Sequence, residues 1–146
     1  MERLRIDPTS ADLKDLIDRG TLLHGHLGPY LVAGIRMGLL ALELLEHPGY
    51  FEIQAESEAG SVTPQSCLND GVQIGSGCTA GKGNLRIVGS DAPSVRFRTD
   101  NGRWVEIALR PEVVATFRDS DIREASERLR TLPQEELFTW TGPSSS

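Results

Sequence analysis

The sequence predicts a single α+β domain in which a mixed or antiparallel sheet packs against helices. Three observations predict it. Leu31 to Leu45 is apolar almost throughout, yet it is interrupted by Arg36 and Glu43 and is shorter than the ~20 residues of a membrane span, so it reads as a buried helix. Asp100-Asn101-Gly102 separates two alternating runs, a common hairpin signal. Helical patterns stand both before and after the strands, an order that fits α+β better than a regular βαβ repeat.

A chain of 146 residues has room for one core, so 1–146 is read as one domain. Hydrophobic residues make up 38% and charged residues 25%, with 15 glycines and 8 prolines, a globular and loop-rich balance. The 15 Lys and Arg are scattered among 21 Asp and Glu, a formal charge of −6, which argues against nucleic acid as a partner. Met1 to Pro8 carries charges where an export signal needs an apolar stretch. With no membrane segment either, a cytoplasmic protein is expected. Its two cysteines should then stay reduced, available for metal binding, catalysis or burial.

In chain order, Ser10-Ala11-Asp12 caps an amphipathic helix carrying Leu13, Leu16 and Ile17 that is expected to stop at Gly20. Pro29 suits the first turn of the next helix, which runs to Leu45 or Glu46 before His47-Pro48-Gly49. Ala33, Gly34, Gly38 and Ala41 would let another helix or a second subunit approach it closely. Tyr50 to Glu58 alternates as a strand, with Phe51, Ile53 and Ala55 on one face. Cys67 to Ile74 forms a short helix, Gly75 to Asn84 a loop, and Leu85 to Val88 the next apolar stretch. Ser94–Arg98 and Trp104–Leu109 make the hairpin. Helices over Pro111–Asp119 and Asp121–Leu132 follow, and 143–146 is expected to be a frayed tail.

His24-Gly25-His26 is the first candidate site. If extended, the two imidazoles project to one side ~6.6 Å apart and can converge on one ion; the bland alternative is two histidines bonding the adjacent helix end. Cys67 and Cys78 are the second. On one continuous helix they would be ~16 Å apart, too far to cooperate, so Gly75-Ser76-Gly77 must break it if they do. Otherwise they are small buried hydrophobes. Gly81-Lys82 lacks the spacing of a phosphate-binding Walker loop. Gly75 to Ala80 fits a dinucleotide pattern literally but lacks the preceding strand and following long helix. Asp70, one helical turn after Cys67, could orient a ligand or act as acid or base, and could equally be a solvated or capping carboxylate.

These blocks resemble a known family. His24-Gly25-His26-Leu27-Gly28-Pro29, and Cys67-Leu68-Asn69-Asp70-Gly71-Val72-Gln73 followed by Gly77-Cys78-Thr79-Ala80-Gly81-Lys82-Gly83-Asn84-Leu85, look like the two signature blocks of the FmdE-like family, the E-subunit type of formylmethanofuran dehydrogenase. The resemblance covers roughly Leu13 to Leu109. It implies a homodimeric α+β domain in which His24, His26, Cys67 and Cys78 gather around zinc or another divalent transition metal. Gln73, Thr79 and Asn84 would line the cleft for a small-molecule ligand, and Asp70 or Lys82 would assist proton transfer. The family is associated with a molybdenum or tungsten enzyme that reduces carbon dioxide to a formyl group on methanofuran. This chain has neither an iron-sulfur cysteine set nor a pterin site, so it is not expected to be that redox component. Two departures stand out: Gly28 is found where many relatives have a cysteine, and no cysteine follows Cys78, so the C-terminal cysteine-rich zinc module of many relatives is not expected here. Three functions remain in play: a metal-binding accessory or stand-alone protein, a metal-dependent enzyme using an activated water, and a structural dimeric interaction domain without metal.

Overall fold

Asp12 opens the first helix, its carboxylate accepting the Asp15 N–H, and helix α1 runs over Leu13–His24 in the structure, a computed structural model that describes residues 2–145. The expected stop at Gly20 is corrected: the helix passes through that residue. A Cβ there would lie 3.0 Å from the Ile35 side chain, so this glycine serves helix packing rather than a turn. Helix α2 spans Pro29–Leu45, with Pro29 in its first turn as expected. Twelve of its seventeen residues are buried, which is why it is apolar nearly all round. The one charge near its middle, Arg36, donates through Nη1 to the carbonyls of Leu129 and Leu132 and so caps the end of a later helix.

The remaining elements in order are β1 (Ile53–Ser57), α3 (Cys67–Ser76), β2 (Leu85–Ile87), β3 (Ser94–Thr99) and β4 (Arg103–Leu109). Then come α4 (Pro111–Ala115), a 3₁₀ turn (Thr116–Arg118), α5 (Ile122–Thr131), α6 (Gln134–Leu137) and β5 (Phe138–Ser145). The five strands form one mixed sheet in the order β2-β1-β3-β4-β5. The β1–β2 pair is parallel and the others are antiparallel, the β3–β4 hairpin being the one expected around Asn101-Gly102. Ile53, Ala55, Val95, Phe97, Val105, Ile107 and Phe138 turn to the core, while Gln54, Arg96, Arg98 and Glu106 face out. Phe51, expected on the apolar face of β1, precedes the strand and is exposed.

Helices α2 and α3 touch through their backbones. A Cβ on Gly34 would stand 2.2 Å from the Leu68 carbonyl oxygen, one on Gly71 2.1 Å from that of Leu31, and one on Gly75 2.1 Å from that of Ile35. The small-residue face of α2 is therefore used by a helix of the same chain.

Strand β5 corrects the expected frayed tail. Residues 143–145 continue a strand anchored in the core by Phe138, with Trp104 opposite Ser144; residue 146 lies outside the described residues. A bulge between Trp104 and Glu106, with Gly142 at φ 101, carries the strand past Pro143, and an edge strand tolerates that proline. Among the described residues no helix is long and apolar enough to cross a membrane.

Candidate functional site

Helix α1 ends on His24. Gly25 caps it in the left-handed conformation, φ 100, and gives its N–H to the Thr21 carbonyl at 2.8 Å. The chain turns there, so the expected extended arrangement of His24 and His26 is replaced by a tighter one: the ring centroids stand 4.8 Å apart, tilted by 55°. Gly28 then runs extended into Pro29. A Cβ on Gly28 would lie 3.6 Å from Cε1 of His26, so a side chain at this position would stand against that ring.

The close α2–α3 contact sets the start of α3 beside this connection. Asp70, in the first turn of α3, places Oδ2 2.6 Å from Nδ1 of His24, and Nδ1 of His26 lies 3.0 Å from the Leu27 carbonyl. A carbonyl only accepts, so the proton of a neutral His26 sits on Nδ1. A carboxylate likewise asks for the proton on Nδ1 of His24. Both neutral imidazoles therefore carry their free lone pair on Nε2.

His24, His26 and Cys67 line one cavity of about 210 Å³. Its far wall is apolar: Tyr30, Leu31, Pro64, Phe117 and Ile122, with Tyr30 and Phe117 in edge-to-face contact at 5.1 Å between centroids. The Cys67 thiol is pushed up by burial and then by the Asp70 charge. Phe117 and Ile122, from the 3₁₀ turn and the start of α5, are site residues that the sequence reading missed. Ile122 stands at helical spacing with the buried Ala125 and Leu129, yet it is 59% exposed, so its place at the pocket rather than in the core depends on tertiary packing.

The other candidates lie elsewhere. Cys78 follows the far end of α3, about 15 Å of helix from Cys67. It is fully buried, with Sγ 3.9 Å from the Ile53 carbonyl, and burial pushes its thiol up. Lys82 reaches the Gly77 carbonyl at 2.7 Å and the Thr79 hydroxyl at 3.0 Å. Asn84 is buried: its amide donates to the carbonyls of Tyr50 and Ile53, and its Oδ1 accepts the Thr79 N–H. These bonds brace the turn after α3. Gln73 accepts the Ala80 N–H at 2.9 Å. With Thr79 it lines a separate groove of about 430 Å³ beside Leu16, Leu23 and Tyr50. The structure thus brings His24, His26, Cys67 and Asp70 together and leaves Cys78, Lys82 and Asn84 apart. Among the described residues, no three His, Cys, Asp or Glu side chains as placed form a group able to hold a metal ion. Two imidazoles and a thiol nevertheless line one cavity, donor types that a nitrogen- and sulfur-loving cation takes.

The chain shares 36% identity over 92 residues with a probable S-adenosyl-L-methionine-binding protein of Archaeoglobus fulgidus, a match covering 60% of this chain and 25% of that protein. This chain therefore spans only about a quarter of that relative's length. A crystal structure of an FmdE-like protein from Syntrophus aciditrophicus, of the tungsten formylmethanofuran dehydrogenase type, superposes with a TM-score of 0.63 at 20% identity. That superposition covers 95% of this chain and 76% of the other, a likeness of fold. The family model described as FmdE, molybdenum formylmethanofuran dehydrogenase operon, matches residues 23–139, which take in His24, His26, both cysteines and four of the five strands in full. By that match the chain belongs to the FmdE family.

Proposed function

We propose that this chain is a metal-binding member of the family, accessory or stand-alone, and not itself the molybdenum or tungsten redox component. Its ligands are Nε2 of His24, Nε2 of His26 and Sγ of Cys67, and zinc is the ion these donors suit best. The observation that supports this reading is the matched pair of Nδ1 hydrogen bonds, His24 to Asp70 and His26 to the Leu27 carbonyl. Metal-ligating histidines are held in this way, with one ring nitrogen tied to an oxygen and the other presented to the ion. Three donors leave one position of a four-coordinate ion for water or a ligand. A divalent ion bound there would supply Lewis acidity. Binding would draw the three donors together, since they do not stand as a finished cluster.

A metal-dependent enzyme is the less favoured alternative. Asp70 is already engaged by His24, and Lys82 braces the opposite end of α3, so neither group expected to move protons is free in the cavity. The purely structural reading loses its main support, because α3 covers the glycine face of α2. S-adenosyl-L-methionine binding is not carried over from the Archaeoglobus relative. The match spans a quarter of that protein, and the cavity beside the histidines, about 210 Å³, lies below the roughly 300 Å³ at which pockets for drug-sized ligands begin. A homodimer goes with this proposal on the strength of the family resemblance alone. A cytoplasmic setting goes with it too, consistent with two free cysteines.

Metal analysis of purified protein tests the site. Close to one zinc per chain is expected, lost in Cys67→Ala and weakly retained in His26→Ala. Full loading in both variants would overturn the assignment.

A further inference from the structure

We infer that a second site lies in the groove between α1, α3 and Tyr50, and that it takes a small organic carboxylate whose short apolar body seats on Leu16, Leu23 and Ile74. The groove shares no lining residue with the histidine cavity, so the inference stands apart from the metal reading.

The polar groups of this groove have one thing in common: each has an N–H or O–H left over. The Thr79 hydroxyl oxygen accepts the Lys82 N–H at 3.2 Å and Lys82 Nζ at 3.0 Å. Both lone pairs are then taken, and the hydroxyl proton has no acceptor among the described residues. Gln73 spends Oε1 on the Ala80 N–H, and its two-proton Nε2 has only a long contact, 3.5 Å, to Asp70. The hydrogen bonds of Tyr50 run through its backbone, to Ser76 and Asn84, which leaves the phenol without an acceptor among the described residues. Arg19 sets Nη2 3.0 Å from Asp15 and keeps the rest of its five-donor fork. No acidic side chain lines the groove. A ligand rich in donors would therefore meet few acceptors, whereas a carboxylate brings two oxygens that can take these protons. The charge agrees, since Arg19 and the nearby Lys82 ammonium both attract an anion. A doubly charged head would be opposed by the apolar wall beside it. That wall is formed by Leu16 and Leu23, two turns apart on one face of α1, and by Ile74 across from them. Leu23 is 53% exposed, an apolar side chain that a ligand body can cover.

The test titrates the full chain, as purified and isotope-labelled, with hexanoate, hexanol and acetate, and follows amide NMR shifts. Hexanol shares the body without the charge, and acetate shares the charge without the body. Hexanoate is expected to shift the Leu23, Gln73 and Thr79 amides saturably. It should bind roughly tenfold or more tightly than acetate, the scale of withdrawing about two methylenes from water. Its advantage over hexanol should be several-fold, the scale of an exposed ion pair with charge-assisted hydrogen bonds. Arg19→Gln is expected to remove most of the advantage over hexanol, and Leu23→Ser to narrow the one over acetate. Ile122→Asp, on the histidine cavity, should change neither. Equal affinity for hexanoate and hexanol, an undiminished advantage in Arg19→Gln, no saturable shift, or shifts gathered at Tyr30, Phe117 and Ile122 instead overturns the inference. None of these outcomes touches the metal reading, which is decided by metal content.

Discussion

Asp70 Oδ2 lies 2.6 Å from Nδ1 of His24, a contact between residues 46 apart in the chain that joins the end of α1 to the first turn of α3. The contact fixes the orientation of one imidazole and the tautomer that imidazole adopts when neutral. Asp70→Ala is therefore expected to weaken zinc binding about 10- to 100-fold while leaving the fold intact. Asp70→Asn, which keeps an oxygen acceptor, should recover part of that loss. Chelator competition checks both variants. Equal affinity in Asp70→Ala and the wild type would show that the carboxylate plays no part in positioning His24.

Much of this architecture is legible in the sequence because local patterns carry it. Pro29 marks the start of α2, the alternation around Asn101-Gly102 marks the β3–β4 hairpin, and the histidine pair and Cys67 stand out by residue type. What is not legible depends on contacts distant in sequence. Gly20 looks like a helix stop because glycine usually ends helices; only the Ile35 side chain against it shows why this one lies inside. Pro143 and the serines look like a tail because a strand edge that tolerates proline is defined by its neighbour β4. Cys78 and Asn84 share a signature block with Cys67, yet a helix of ten residues separates the two ends. Their role is to brace the turn after α3 and fill the core.

The backbone contact of α2 with α3 predicts an unusual sign for a helical glycine substitution. Replacing a helix-interior glycine by alanine ordinarily gains about 1 kcal/mol of helix propensity. In Gly71→Ala the added methyl would meet the Leu31 carbonyl at 2.1 Å, so the helices must part. A net destabilisation of about 1–3 kcal/mol or more is expected, read as a lower denaturant midpoint. Zinc affinity should fall with it, since this contact sets Cys67 and Asp70 beside the histidines. An unchanged midpoint would mean that the two helices are not packed this closely.

The two cysteines should separate cleanly. Cys78→Ala removes a fully buried sulfur and is expected to cost about 1–2 kcal/mol of stability with zinc content unchanged. Cys67→Ala, at a half-buried position on the cavity, should show the reverse: little loss of stability without metal, and loss of the metal. Denaturant melts on metal-free protein, paired with metal analysis, check the contrast. Loss of zinc in Cys78→Ala would bring that residue back into the coordination sphere.

His47 makes a pH-dependent contribution that has nothing to do with the metal. Its Nδ1 accepts the Gly49 N–H at 2.9 Å, which requires the neutral ring, and burial lowers its pKa. The Arg5 charge pushes the same way, while Glu52 and Asp100 oppose it. A histidine with its folded pKa below the unfolded value of about 6.5 favours the folded state in its neutral form. That contribution is fully present above the unfolded pKa and is lost as pH falls through the folded value. His47→Asn keeps an acceptor for the Gly49 N–H and removes the titration. Between about pH 8 and pH 5, the wild type should lose more stability than His47→Asn, the two curves diverging below about pH 6.5. Denaturant midpoints measured on metal-free protein across that range check it, because proton-coupled metal release then adds nothing to either curve. Parallel curves for the two proteins would show that the ring takes up its proton alike in the folded and unfolded chains, and that Gly49 holds the turn without it.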